Sequence, residues 1–361
     1  MPLQVKGFLN RPRAIFLAGE VITVKVIIKN TSKKNIENIA WGSVQLVSER
    51  TFGAQSIISE RPATAISKSP STVYSSLPLI LFCDLNIGPG EQKQFKTDIS
   101  IPETIPPSFK GYFVKYLSKI SIAVQHVRDP IKVMHIPVRI IPSVTLDIKQ
   151  SQNANPFVAP PNNTLSELVS SAVDQMTAPR KPLNFCMTNS DGKVTFLTLF
   201  KKVFRLGEEI VGHLDFRDAD VNCVQYSVDL ETVESLPESD RVDEDDEEFE
   251  MRKSSRSKTT VLASCQDVCA YTKDSAFRLC IPMHANPTFF TDNVHFKWRL
   301  RFEFVTSKNL IEANLYGLSS APTNIEVETV SWSVDVFVLP CCPENVSLTD
   351  LAYSGETGMI L

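Results

Sequence analysis

Phe16-Leu-Ala-Gly19-Glu20-Val-Ile22 returns in the second half of the chain as Phe204-Arg-Leu-Gly207-Glu208-Glu-Ile210. In both copies a glycine stands where a tight turn can take positive φ, and a strand pattern follows. After the first copy Ile22, Val24, Val26 and Ile28 alternate with Thr23, Lys25, Ile27 and Lys29. After the second, Ile210, Gly212, Leu214 and Phe216 alternate with Val211, His213 and Asp215.

Two further landmarks repeat in the same order. Ile101-Pro102 leads through Pro107-Ser108 to Phe109, and Ile281-Pro282 leads through Pro287-Thr288 to Phe289. A long alternating segment follows each. Tyr112, Val114, Tyr116, Ile120, Ile122 and Val124 share one face in the first half; Phe296, Trp298, Leu300, Phe302 and Phe304 share one in the second. Each half then closes on an apolar strand ending in proline, at Pro142 and at Pro340. Three landmarks in one order mean two copies of one fold. Short strands of period two, split by Pro, Gly and Asn, read as antiparallel sandwiches. The fold class is therefore all-β, with two tandem β-sandwich domains. The first covers residues 1–142 and the second 183–340, joined by a linker over 143–182 and followed by a flexible tail over 341–361.

Helical periodicity is confined to residues 164–176. There Thr164 and Glu167 can form a capping box, with Leu165, Leu168, Val169, Ala172 and Met176 on one stripe. Two readings stand for this segment, a short helix over the interdomain seam and a disordered linker. Insertions interrupt both sandwiches. Residues 50–76 are rich in Ser and Thr, and residues 234–260 run from the acidic block 243–248 into Arg252-Lys253. Like-charge blocks bury little apolar surface, so both insertions are expected to be disordered.

The 361 residues suffice for two full cores, and the composition, 43% hydrophobic and 22% charged, is that of a globular protein. A formal net charge of −4 gives no electrostatic reason to expect nucleic acid as a partner. The eight cysteines contain no Cys-x-x-Cys pair, and the five histidines stand apart from them, so neither metal nor any other cofactor is expected. No signal peptide and no apolar run long enough to span a bilayer is visible, which places the chain in the cytoplasm with reduced cysteines. The sequons at Asn30, Asn162 and Asn345 then read as chance matches.

No catalytic motif is present: no Gly-x-Ser-x-Gly, no Walker A, no His-Glu-x-x-His. The acidic block 243–248 reads as a solvated loop rather than a cation site. What remains is surface. Lys297, Arg299 and Arg301 alternate with the aromatic face of their strand and so project to one outer side. Lys110, Lys115 and Lys119 take the corresponding place in the first half. This candidate basic face is either ordinary solvation of a sheet or a docking face for an acidic partner or an anionic membrane.

The same residues carry a family resemblance. Phe16-Leu-Ala-Gly-Glu20, Ile80-Leu-Phe-Cys-Asp-Leu85 with Pro89-Gly-Glu91, Pro106-Pro-Ser-Phe-Lys-Gly111 and Val114-Lys-Tyr116 match in the first half. Phe204-Arg-Leu-Gly-Glu208 and the run Lys297 to Ser307 match in the second. The chain resembles the Rgp (retrograde Golgi transport) proteins, also called Rab-GEF complex partner proteins. The resemblance implies an arrestin-like form of both sandwiches. It also implies a non-catalytic subunit of a heterodimeric guanine-nucleotide exchange factor for a Golgi Rab GTPase (Rab six), acting in endosome-to-Golgi retrograde transport. The implied partners are a large WD-repeat Ric-family subunit, the GTPase, and the Golgi membrane by peripheral contact. The alternative is an arrestin-like trafficking or cargo adaptor without exchange activity. Neither pair of adjacent prolines continues to tyrosine, which weakens the version that recruits ubiquitin ligases.

Overall fold

A strand that faces a core on one side must hide every second side chain, and the alternating segments do this in the computed structural model. The structure describes residues 3–53, 70–144, 164–179, 181–237, 256–307, 325–349 and 352–360. They divide into two compact units, Met1–Ala172 with Cys342–Leu361, and Val173–Cys341.

The first unit holds β1 (Leu3–Leu9), β2 (Ile15–Leu17), β3 (Val21–Asn30), β4 (Glu37–Phe52), β5 (Ser71–Ser75), β6 (Leu79–Ile87), β7 (Gln92–Ser100), β8 (Phe109–Lys110), β9 (Val114–His126) and β10 (Lys132–Ile141). Helix α1 (Leu165–Thr177) follows, and the division between the units falls inside it. Thr164 and Glu167 close its capping box, the Glu167 amide donating to Thr164 Oγ1 at 3.4 Å and the Thr164 amide to Glu167 Oε2 at 2.9 Å. Its buried stripe is Ser166, Val169, Ala172 and Val173, whereas Leu168 faces solvent.

The second unit holds β11 (Leu183–Asn189), β12 (Gly192–Leu199), β13 (Val203–Arg205), β14 (Glu209–Asp215), β15 (Asn222–Ser235), β16 (Ser257–Val268), β17 (Asp274–Cys280), β18 (Phe289–Phe290), β19 (His295–Ser307) and β20 (Val327–Leu339). Beyond it, α2 (Pro343–Thr349) and β21 (Glu356–Ile360) belong to the first unit.

Each unit is a pair of sheets in matching order. The smaller sheets run β21-β1-β3-β7 and β11-β12-β14-β17. The larger run β2-β10-β9-β4-β5, with β6 also on β4 and β8 on β9, and β13-β20-β19-β15-β16, with β18 on β19. Strand pairing is antiparallel except where β2 joins β10 and β13 joins β20. Val24, Val26 and Ile28 of β3 share one core with Ile120, Ile122 and Val124 of β9. In the second unit Phe277 of β17 meets Phe302 of β19 edge-on, ring centroids 5.5 Å apart.

The repeated Gly-Glu corners carry the chain from the larger sheet to the smaller. Gly19 (φ 89°) and Gly207 (φ 83°) turn it in the left-handed region. Each corner then hydrogen-bonds across to the strand beyond. The Gly19 amide donates to the Ile101 carbonyl at 3.1 Å and the Ile101 amide to the Glu20 carbonyl at 2.8 Å; Gly207, Ile281 and Glu208 repeat this at 3.0 and 2.9 Å. Each glutamate closes its own turn. Glu20 accepts from the Leu17 amide at 2.7 Å and from both terminal nitrogens of Arg11 at 2.7 and 2.8 Å. Glu208 accepts from the Arg205 amide at 3.1 Å and pairs with Lys201. Burial works against the Arg11 charge, but the Glu20 hydrogen bond and charge outweigh it, so its pKa lies above the ordinary guanidinium value.

Several expectations change. The segment 341–361, expected as a flexible tail, supplies α2 and β21. β21 pairs antiparallel with β1, Gln4 opposite Ile360 through Phe8 opposite Glu356. The physical reason is β1's otherwise open edge, the place that β11 fills beside β12 in the second unit. The flanks of the insertions are strands: β4 runs to Phe52, β5 begins at Ser71, β15 runs to Ser235 and β16 begins at Ser257. Residues 54–69 and 238–255, the bulk of both insertions and all of the acidic block, lie outside the described residues. Tyr112 is exposed and precedes β9, so it leaves the face assigned to it. Asn30 is fully buried and its Nδ2 donates to the Asn35 and Ile87 carbonyls at 2.9 and 3.0 Å, which leaves no room for a glycan. No helix among the described residues is long and apolar enough to cross a membrane.

Trp298 is fully buried and its Nε1 donates to the Asn286 carbonyl at 3.0 Å. Replacing it by alanine removes both packing and this bond, and Trp298→Ala is expected to cost about 3–5 kcal/mol. Urea unfolding followed by fluorescence of the remaining tryptophans checks this; an unchanged midpoint would refute the packing role.

Candidate partner-binding surfaces

The outer face of the second unit's larger sheet carries Lys297, Arg299 and Arg301, while Phe296, Trp298, Leu300 and Phe302 point into the core. The strands on either side bring acids to the same face. Arg299 lies opposite Glu231 on β15 and Asp335 on β20, and Arg301 opposite Asp229. Arg299 donates from Nη2 and Nε to one oxygen of Glu231 at 2.6 and 3.0 Å. Arg301 reaches Glu303 at 3.2 Å and the second Glu231 oxygen at 3.9 Å. Lys297 Nζ sits 5.9 Å from the centre of the Phe290 ring. Glu231 is buried although it faces outward, because the two guanidinium groups cover it. These arginines neutralise an internal carboxylate before they can offer charge to a partner.

In the first unit Lys110 and Lys115 face each other across β8 and β9, and both are exposed. Lys119 is paired with Glu49 at 2.7 Å. His135, on the neighbouring strand, has its pKa held below the ordinary value by partial burial first and by the Lys119 charge second. The two halves of the candidate face also differ in register. With Phe109–Tyr116 and Phe289–Phe296 as equivalent pairs, Lys119 corresponds to Arg299, but Lys297 corresponds to Leu117. Three of the six basic residues are thus committed to carboxylates.

A denser lysine group lies on a face that sequence reading passed over, the outer side of the sheet β21-β1-β3-β7. Lys25 stands opposite Phe8 and Lys96, Lys6 opposite Ile27, and Lys29 opposite Gln4 and Gln92. Among the described residues none of these lysines has an ion-pair partner. Lys25 and Lys29 were visible as polar members of an alternating strand. Lys6 and Lys96 come from strands distant in sequence, and only the pairing unites them.

The second unit offers a different feature, the edge strand β16. Its 12 residues pair with β15 on one side and have no strand on the other among the described residues. A β-bulge at Leu230/Glu231 breaks the register, so both Val261 and Leu262 are exposed, as is Val268. A long exposed edge with apolar side chains is a template for another strand. Among the described residues no group of three or more His, Cys, Asp or Glu could hold a metal ion.

The Rgp1 family profile matches residues 8–154 and 149–307. A human protein, RAB6A-GEF complex partner protein 2, is 30% identical over 92% of this chain and 94% of its own length. The Bos taurus protein of the same name is 30% identical over 89% of this chain and 90% of its own. Among solved structures, Spo0M, the sporulation control protein of Bacillus subtilis, overlays with a TM-score of 0.31 at 15% identity, covering 59% of this chain and 80% of Spo0M.

Removing Arg299 would leave Glu231 buried without its main partner. Arg299 is itself 30% exposed, so Arg299→Ala is expected to cost about 2–3 kcal/mol, below the range for a fully buried pair. Lys297→Ala should change stability by no more than about 0.5 kcal/mol. Chemical denaturation of both variants checks the contrast, and equal effects would contradict it.

Proposed function

The chain belongs to the Rgp1 family, and on that premise we propose that it is the non-catalytic subunit of a heterodimeric guanine-nucleotide exchange factor. Its GTPase is Rab6, its partner is a large WD-repeat subunit of the Ric family, and it works in the cytoplasm, peripherally at the Golgi, in endosome-to-Golgi retrograde transport. One observation carries this reading: relatives that match nearly the whole chain at 30% identity are named as partner proteins of a RAB6A exchange-factor complex.

The surfaces support a binding role in physical terms. Exchange requires something to loosen the switch segments and magnesium site of the GTPase. This chain contributes broad sheet faces and the edge of β16, which suit docking to a larger protein. An obligate interface buries roughly 2,000 Å² or more and is apolar at its centre; Val261 and Leu262 offer exposed apolar side chains side by side on β16, and Val268 a third at the strand's end.

The test is release of labelled nucleotide from Rab6 in the presence of this chain, the large subunit, or both. The expected result is little release with this chain alone and full release with the pair. Val261→Lys with Val268→Lys, on the exposed side of the edge, should weaken assembly while the free chain keeps its melting temperature. Full activity from this chain alone would overturn the subunit reading. A pair that assembles and releases no nucleotide would turn the assignment to a trafficking adaptor.

A further inference from the structure

We propose that the outer face of the sheet β21-β1-β3-β7 is a docking surface for an anionic membrane, held by Lys6, Lys25, Lys29 and Lys96 and extended by the loop that carries Lys33 and Lys34. This rests on the membrane-peripheral part of the reading above and not on exchange.

The fold does not require these lysines. Lys25 and Lys96 stand directly opposite one another, an arrangement that destabilises a sheet. The second unit shows what the same positions hold without that cost. His213 is opposite Ala276 where Lys25 is opposite Lys96, and Phe196 occupies the place of Lys6. Asp215 replaces Ile27, and Asp274 replaces Gln94. In the second unit the acids of this face are matched by bases, Asp215 by Arg217 and Glu209 by Arg278, whereas the first unit gathers lysines there against their mutual repulsion. The acids on the lysine face lie toward one end. Asp98 accepts a hydrogen bond from Thr23 Oγ1 at 2.6 Å, and Glu356 stands beside Phe8.

At the opposite end the loop 31–36 is pinned. The Asn30 side chain accepts from the Ser32 amide at 2.8 Å while its Nδ2 holds the Asn35 and Ile87 carbonyls, and the Ser32 hydroxyl accepts from the Asn35 amide at 3.0 Å. This presents Lys33, Lys34 and Ile36 to solvent, with Ile36 65% exposed.

The arrangement fits a bilayer better than a folded protein or a single phosphate. The charges are spread over rows about 4.8 Å apart and converge on no common point. All are lysines, compact hydrated charges without the fork that grips one carboxylate or phosphate in two places. Ile27 and Phe8 lie among them, and Ile36 and Ile360 stand exposed at the rim, where aliphatic groups can enter the headgroup layer. Each lysine near an anionic leaflet is worth about a fivefold gain in partition.

Sedimentation of the full chain with vesicles tests this. Binding is expected to phosphatidylcholine vesicles containing about 30 mole per cent phosphatidylserine, not to phosphatidylcholine alone, and to fall steeply between about 0.1 and 0.5 M salt. Lys6→Glu, Lys25→Glu, Lys29→Glu and Lys96→Glu together should abolish it. The milder Lys25→Gln with Lys96→Gln should weaken it by about 25-fold while leaving the melting temperature equal or higher, which separates lost binding from lost folding. Lys110→Glu, Lys115→Glu and Lys297→Glu together should bind as wild type. Equal binding to neutral vesicles, loss in that last variant alone, or retention of an acidic peptide without vesicle binding would each overturn the proposal. No GTPase or large subunit is present, so a negative result leaves the exchange assignment standing.

Discussion

Both sandwiches depend on one constraint, the carboxylate that closes each Gly-Glu corner. A strand paired in parallel at the margin of the larger sheet must leave it and enter the smaller one within a few residues. Glycine supplies the backbone conformation, but a turn at the edge of a core leaves amide groups that need acceptors. Glu20 takes the Leu17 amide and Glu208 the Arg205 amide, each held in place by a cation of its own unit, Arg11 or Lys201. With the corner fixed, the backbone bonds from Gly19 and Gly207 to Ile101 and Ile281 set the register of the next strand. The alternation of β3 and β14 then points Val24 and Leu214 inward. A one-residue slip would turn each strand's apolar side to water.

The corners are alike and the outer surfaces are not. In the second unit the larger sheet's outer face is an interleaved set of acids and arginines around Glu231, a self-contained network with little net charge to offer. The equivalent face of the first unit keeps one such pair, Lys119 with Glu49, and has Val47 in the place of Glu231 and Ala123 in the place of Glu303. Duplication has preserved what closes the sandwich and released what coats it. That separation is expected when packing fixes the inner positions and function is carried by the remainder.

The two sandwiches were legible because their landmarks are local. Gly19-Glu20 and Gly207-Glu208 are adjacent residues, and the strand alternation after them is read in a window of ten. The placement of the candidate surfaces was not legible, because it depends on which strands become neighbours. Lys297, Arg299 and Arg301 form an evident cationic stripe in one dimension. In two dimensions Glu231, Asp229 and Asp335 interleave with them. Lys6 and Lys96 are unremarkable singly and become a face only across β1, β3 and β7. The last strand escaped for a related reason: Glu356-Thr-Gly-Met-Ile360 is short and glycine interrupts its alternation, so its identity as a strand comes from the edge it meets.

That last strand has a consequence for how the protein is made. The sheet begun by β1 is completed by residues that leave the ribosome some 350 positions later. At about 5–20 residues per second, β1 exists for roughly 20 seconds to a minute before β21 can reach it. The second unit obtains its equivalent strand, β11, before β12, and suffers no such delay. The sheet begun early is therefore finished late, and until β21 arrives β1 presents an unpaired edge to every other strand within reach.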